Sequence, residues 1–215
     1  MKDIPVFTTE FGIASLILRD IPYRGKAYVR VRSCEPSHLT DLLEECRTFC
    51  RMAGADRIYA AGEIPEGIYP LHASVIQMRG RAEVDPETLE NLFPVTEQTV
   101  ARWRQICNDS MKKVDCAATQ TAADEKRILQ SGGAYFVHRE GKLLGIGWIQ
   151  DGELSVICSV VPGAGQRILN TLLSTVEGSE ITLEVASTNE KAIRLYEKIG
   201  FLKTAELTRW YTLQG

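Results

Sequence analysis

Apolar and polar positions follow two periods along this chain, and the change between them marks out the elements. From Ala134 onward three runs alternate, Ala134–Arg139, Lys142–Gln150 and 153–161, and the junctions between them are Glu140-Gly141 and Asp151-Gly152. Alternation is the pattern of half-buried strands, and two-residue junctions ending in Gly supply the positive φ of tight hairpin turns. The pattern predicts a three-stranded meander. Gly145 and Gly147 inside its middle strand predict a bulge or a close approach of another part of the backbone.

After Pro162 the period becomes helical. Ile168, Leu169, Leu172, Leu173 and Val176 share one face, and Gly178 can serve as a left-handed stop. Residues 180–187 alternate again as a strand. Asn189 is placed to cap a second helix with Ala192, Leu195, Tyr196 and Ile199 inward and Gly200 at its end, before a last strand over 205–213. Upstream, 96–114 puts Val100, Trp103, Cys107, Met111 and Val114 on one helical face, and a shorter helix follows near 121–130. Residues 72–213 therefore read β-α-α-β-β-β-α-β-α-β, a mixed sheet with helices on both faces.

The first 71 residues read as strand 13–19, strand 27–32, a helix capped by Ser37 and ended by Gly54, and strand Arg57–Ala61. That β-β-α-β order repeats the order of residues 142–186 and raises an internal duplication whose first copy carries Cys34-Glu35-Pro36-Ser37 where the second has glycines. The expected division is an N-terminal lobe, 1–74, and a second domain, 75–215.

Composition narrows the function. Twenty-five basic residues against 28 acidic ones give a net charge of −3, which argues against a nucleic-acid binder because such a protein needs a basic face. No apolar run reaches the roughly 18 residues of a membrane helix. The first twenty residues do not read as a signal peptide. The six cysteines, at 34, 46, 50, 107, 116 and 158, form no CxxC pair and read as reduced thiols of a cytoplasmic protein.

The segment 183–201, LEVASTNEKAIRLYEKIGF, places a strand, Asn189, Ala192, Leu195-Tyr196 and Gly200-Phe201 in one order and spacing. It resembles the last motif of the GCN5-related N-acetyltransferase superfamily, and within it the bacterial ribosomal-protein N-terminal-alanine acetyltransferases. The superfamily likeness covers about residues 75–213. It implies an α/β fold with a mixed, mostly antiparallel central sheet. It also implies transfer of an acetyl group from acetyl-CoA to a primary amine by direct attack.

In that resemblance Tyr196 is the acid that protonates the departing thiolate, since a phenol of pKa ~10 is protonated at neutral pH. Glu184 is the general base, with Glu153 in reserve. The cofactor would lie along Cys158 and Val160, with its pyrophosphate over Gly163, Ala164, Gly165, Gln166 and Arg167. Asn189 would meet the pantetheine arm as well as cap its helix. A strand, a glycine turn and a helix N-terminus suit an anion because amides and dipole both face it. The glycine loop departs from the family pattern, being shorter by about five residues when aligned through Leu169. Gln166 and Arg167 are then the expected side-chain donors.

A degenerate CoA-binding or assembly module without turnover is the alternative. The acceptor is a small-molecule or peptide amine, and a homodimer through the N-terminal lobe is one use for that lobe. Cys46 and Cys50, with His38 nearby, lie on an apolar face and read as buried thiols and not as metal ligands. Cys158 has no histidine beside it in sequence to make it a nucleophile.

Overall fold

In chain order the strands are β1 (Val6–Thr8), β2 (Gly12–Ile17), β3 (Lys26–Cys34), β4 (Arg57–Ala61), β5 (Leu71–Arg81), β6 (Asn91–Pro94), β7 (Ala134–Arg139), β8 (Lys142–Gln150), β9 (Glu153–Ser159), β10 (Glu180–Ala186) and β11 (Leu202–Thr212). The helices are α1 (Ile21–Arg24), α2 (Leu39–Met52), α3 (Val100–Met111), α4 (Glu125–Ser131), α5 (Gly165–Leu173) and α6 (Glu190–Lys198). The computed structural model describes residues 4–213. Two compact units form: residues 1–75 together with 206–215, and residues 76–205. The end of the last strand thus returns to the first unit.

In the first unit the strand order is β1-β2-β3-β4 followed by the end of β11. β2 and β3 are antiparallel, whereas β3 and β4 run parallel with α2 as their crossover. Leu39, Leu42, Leu43, Cys46 and Cys50 form the buried stripe of α2 and pack on Ala14, Leu16, Val29 and Ile58. α2 begins later than its sequence suggests. A 3-10 turn over Pro36–His38 comes first, and neither it nor α2 has a side-chain cap, so Ser37 does not cap the helix. Gly54 ends the segment at φ 94°, as a left-handed stop should.

The second unit orders its strands β5-β10-β9-β8-β7-β6. β6, β7, β8 and β9 are antiparallel neighbours, and β9 and β10 are the parallel pair. The two hairpin turns take positive φ at both central residues, Glu140 and Gly141 (50° and 77°), then Asp151 and Gly152 (50° and 76°). That is the type I′ geometry whose twist matches the strands it joins. Helices cover both faces. α5 and α6 pack Ile168, Leu169, Leu172, Ile193 and Tyr196 on Leu183 and Val185. α3 and α4 pack Val100, Trp103, Cys107 and Ile128 on Ile146, Trp148, Val156 and Cys158. The Trp103 indole also donates to the Tyr135 carbonyl (3.1 Å).

The sheet is therefore mixed, as the pattern of periods predicts, and mostly antiparallel, as the family resemblance implies. Short elements with little periodicity escape that reading: β1, β6 and α1 span three, four and four residues.

Candidate active site

The second unit's parallel pair is short. β9 and β10 are in register at Thr182↔Glu153 and Leu183↔Leu154, and beyond those pairs the two strands share no further ladder among the described residues. On its other side β9 stays paired to β8 as far as Gly145↔Ser159. The later part of β9 is thus an internal edge, with backbone donors and acceptors turned toward an opening instead of toward β10. Such an edge can take an extended ligand arm as it would take another strand.

Cys158 lies on this edge. Val160 falls just past the end of β9, and its amide is spent on the Leu144 carbonyl (2.9 Å), which also receives the amide of Val161 (3.3 Å). Of the two positions that the family likeness assigns to the pantetheine arm, Cys158 keeps its place in the strand. Val160 contributes no free N–H, because a bulge turns it back toward β8.

The turn that follows is tight. Gly163 sits at φ 84°, and a Cβ added to it would meet nothing within 4 Å, so this glycine is needed for its conformation and not for space. The Ala164 amide closes the turn on the Val161 carbonyl (3.2 Å). The amides of Gly165, Gln166 and Arg167, the first turn of α5, have no partner among the described residues. A helix start with open amides carries partial positive charge, and these three point where an anion can lie.

α5 can approach the sheet only because β8 has glycines beneath it. A Cβ at Gly145 would stand 2.5 Å from Ile168 Cδ1, and one at Gly147 would stand 2.1 Å from Leu172 Cδ1. The sequence leads one to expect a bulge or a backbone approach at these glycines. What closes on them is the side chains of α5, with a backbone contact only at Gly145, where an added Cβ would stand 2.1 Å from the Cys158 carbonyl oxygen.

Side chains at the turn are less available than the sequence suggests. Arg167 Nη1 is paired with Glu90 Oε1 at 3.0 Å, and that carboxylate is almost wholly buried. Gln166 Oε1 accepts from Lys198 Nζ at 2.9 Å. Arg167 is therefore neutralised from the strap that precedes β6, and Lys198 is the cation beside the turn. Nothing in sequence ties Lys198 to α5; its signal is only that of a basic residue in the last turn of a helix.

Asn189 caps α6 as expected, its side chain accepting from the Ala192 amide (3.3 Å). One face further along, Tyr196 is buried beside Phe201, with ring centroids 6.2 Å apart. Burial first, and the neighbouring Cys158 second, push its phenol pKa above the ordinary tyrosine value. Cys158 is itself buried, and its hydrogen bond with Cys107 and its burial push its thiol up as well. A thiol held protonated is no nucleophile at neutral pH.

Glu184 is exposed on β10 between buried Leu183 and Val185, on the opposite face from α6. It is the first residue of β10 past the last paired position, at the point where the strands part. Glu153 lies at the closed end of the opening and accepts from Ser155 Oγ (3.0 Å). In the first unit, Cys46 and Cys50 are buried thiols raised to about 12 and about 11, chiefly by desolvation. No cluster of metal-ligating side chains occurs among the described residues. Among the described residues no helix is long and apolar enough to cross a membrane.

No protein-family model matches the chain. Over 53 residues, 25% of this chain, it is 36% identical to N-alpha-acetyltransferase RimI of Mycobacterium tuberculosis, and the match spans about a third (34%) of that enzyme's length. Its structure resembles a GCN5-related N-acetyltransferase from Anabaena variabilis, with TM-score 0.62, 10% identity, and 94% of this chain and 59% of that one covered. A GCN5-related N-acetyltransferase from Kribbella flavida gives TM-score 0.57 at 8% identity, covering 96% and 58%. A functionally unknown conserved protein from Staphylococcus epidermidis gives 0.58 at 10% identity, covering 99% and 94%. At such identities the fold is what is shared, and the chain has the GCN5-related N-acetyltransferase fold.

Proposed function

We propose that the second unit is an N-acetyltransferase, moving an acetyl group from acetyl-CoA to a primary amine on a small molecule or peptide. The observation that carries this reading is the parting of β9 from β10 directly before a helix whose first amides are open. An extended pantetheine arm suits the free edge of β9, and a pyrophosphate suits the amides of residues 165–167. The RimI match adds to the reading. The cosubstrate's nucleotide end would be held chiefly by backbone, with Lys198, which donates to Gln166, as a cation beside the turn.

In this reading Glu184 takes a proton from the ammonium, directly or through water. The amine nitrogen then bonds to the thioester carbonyl carbon as the carbon–sulfur bond breaks, and Tyr196 protonates the departing sulfur. The second proton that the nitrogen sheds as the amide forms returns through solvent to the Tyr196 phenolate. Positioning and backbone donors supply most of the acceleration. Six free thiols suit a reducing compartment such as the cytoplasm.

A thiol-release assay over a panel of amines, run beside calorimetry with CoA, tests the proposal. CoA binding with amine-dependent thiol release supports it. CoA binding without release from any amine would favour the reading as a sensing or assembly module. The neutralised Arg167 is the observation that keeps that second reading in view.

A further inference from the structure

A cleft of about 1050 Å³ lies wholly within the first unit. It forms where β3 and β4 part: their parallel register runs to Arg30↔Ala61, after which β4 ends and β3 continues to Cys34. This is the counterpart, within the repeated β-β-α-β order, of the opening between β9 and β10. It is not built for a nucleotide. The turn leading to α2 carries the Glu35 carboxylate, Pro36 has no N–H, and the His38 amide is spent on the Glu35 carbonyl (2.9 Å).

Side chains furnish the charge here instead. Three arginines and three glutamates line the cleft, so its wall is neutral in sum, but the charges are unevenly paired. Arg209 is held by both Glu66 and Glu206. Glu206 is kept below the usual carboxylate range by a hydrogen bond with Ser74 and by Arg209.

Arg30 and Arg32, by contrast, have no carboxylate partner among the described residues. Arg30 Nη2 donates to Thr208 Oγ1 (3.2 Å), and Arg32 Nε donates to Ser15 Oγ (2.9 Å). Neutral hydroxyls fix the direction of these guanidinium groups and leave their charge uncompensated. A bulge contributes to this. The register steps from Ile13↔Ser33 to Ala14↔Val31, which leaves Arg32 unmatched on β2. Bulges of this kind re-aim one side chain.

Across the cleft stands Glu63, exposed and without an ion pair among the described residues. It follows Gly62, whose φ of 140° suits glycine and where an added Cβ would stand 2.9 Å from Val31 Cβ. The uncompensated charges are thus positive on β3 and negative on the segment after β4.

From this segregation we infer that the cleft binds a zwitterion of the amino-acid or peptide kind, its carboxylate on Arg30 and Arg32 and its ammonium on Glu63. Planar guanidinium forks match a carboxylate in a way that a single lysine does not. The volume, about 1050 Å³, lies just above the usual range for small-ligand pockets and admits a short peptide. This site is independent of the proposed acetyl transfer and needs no CoA.

Calorimetry on the full chain without CoA tests it, using L-alanine and trialanine as zwitterions, N-acetyltrialanine as the anion alone and trialanine amide as the cation alone. Saturable binding of at least one zwitterion is expected, the tighter of the two identifying amino acid or peptide as the source. Loss of either ligand charge should weaken binding by about tenfold or more. Arg30→Gln with Arg32→Gln should do the same, as should Glu63→Gln, with unchanged melting temperatures confirming the fold. No saturable binding of either zwitterion would overturn the inference. So would undiminished binding in the double arginine variant, or equal binding of the anion and the zwitterion.

Discussion

Each unit parts a pair of parallel strands, β3 from β4 and β9 from β10, with a helix leaving the end of the first strand, yet the two openings are finished differently. In the second unit the turn is Pro162-Gly163-Ala164-Gly165, and the open groups are backbone amides at the start of α5. In the first unit the turn is Cys34-Glu35-Pro36-Ser37, a 3-10 turn spends the amide that would face an anion, and the open groups are guanidiniums on β3. The same strand–helix–strand unit thus offers dipoles in one place and charged side chains in the other. What an opening can bind is decided at the turn and at the exposed strand positions, while the core beneath only holds it open.

The largest expected effect falls on the group that only the second unit has. Tyr196→Phe should lower kcat by about 10²-fold or more while leaving CoA affinity nearly unchanged, since general-acid catalysis is worth about 10²–10⁴. Steady-state kinetics beside calorimetry separate the two. Because burial raises the phenol, its acid form persists above the ordinary tyrosine range. The wild-type kcat should therefore not fall as pH rises through 10 on account of this group. Equal losses of affinity and turnover in the variant would reduce Tyr196 to a packing residue.

Next in size is the clearance under α5. Gly147→Ala sets a Cβ 2.1 Å from Leu172 Cδ1, and Gly145→Ala sets one 2.1 Å from the Cys158 carbonyl oxygen, which cannot swing away as a side chain can. Overpacking of this kind costs about 1–3 kcal/mol, and denaturant melts should show it at both sites. The Gly145 variant should also widen the β8–β9 pairing and lose CoA affinity, whereas Gly147→Ala should cost stability first.

These two glycines show what a single sequence yields. Their place in an alternating run announced a close approach, and the helical face of Ile168, Leu169 and Leu172 supplied what approaches. The Asn189 cap, both type I′ turns and the inward face of α6 were legible for the same reason: each is a local rule written in adjacent residues. What was not legible is held by residues far apart in the chain. Arg167 looked free because Glu90 lies 77 residues away, Gln166 meets Lys198 across 32, and Val160 loses its amide to Leu144 through a bulge that alternation does not announce. The cleft of the first unit went unread because its arginines alternate along β3 as any solvated strand face does, and only the register step at Arg32 distinguishes it.

A smaller effect tests the backbone amides themselves. Gly165 has φ outside the left-handed region, and a Cβ there meets only Leu195 Cδ2 at 3.4 Å, so a side chain is tolerated by the fold. Gly165→Val should nonetheless crowd a pyrophosphate over the first turn of α5 and weaken CoA binding about tenfold, or ~1.4 kcal/mol. Unchanged affinity would mean that the turn faces away from the nucleotide, and the contrast between the two openings would lose its functional half.

The smallest effect expected sharpens the comparison by making the second opening more like the first. Glu90→Gln keeps an oxygen for Arg167 Nη1 and removes the carboxylate that neutralises it. With amide donors alone, pyrophosphate affinity depends on dipoles of about half a charge; an uncompensated guanidinium at the same turn adds a full one. The variant should bind CoA about threefold more tightly at low salt, and the gain should fade as ionic strength rises and the Debye length shrinks from about 10 Å toward 3 Å. A gain that survives high salt would assign the change to packing of the strap on α5. A loss instead would show that Glu90 holds Arg167 in place for the phosphate, as a positioning residue, and that neutralisation is not its role.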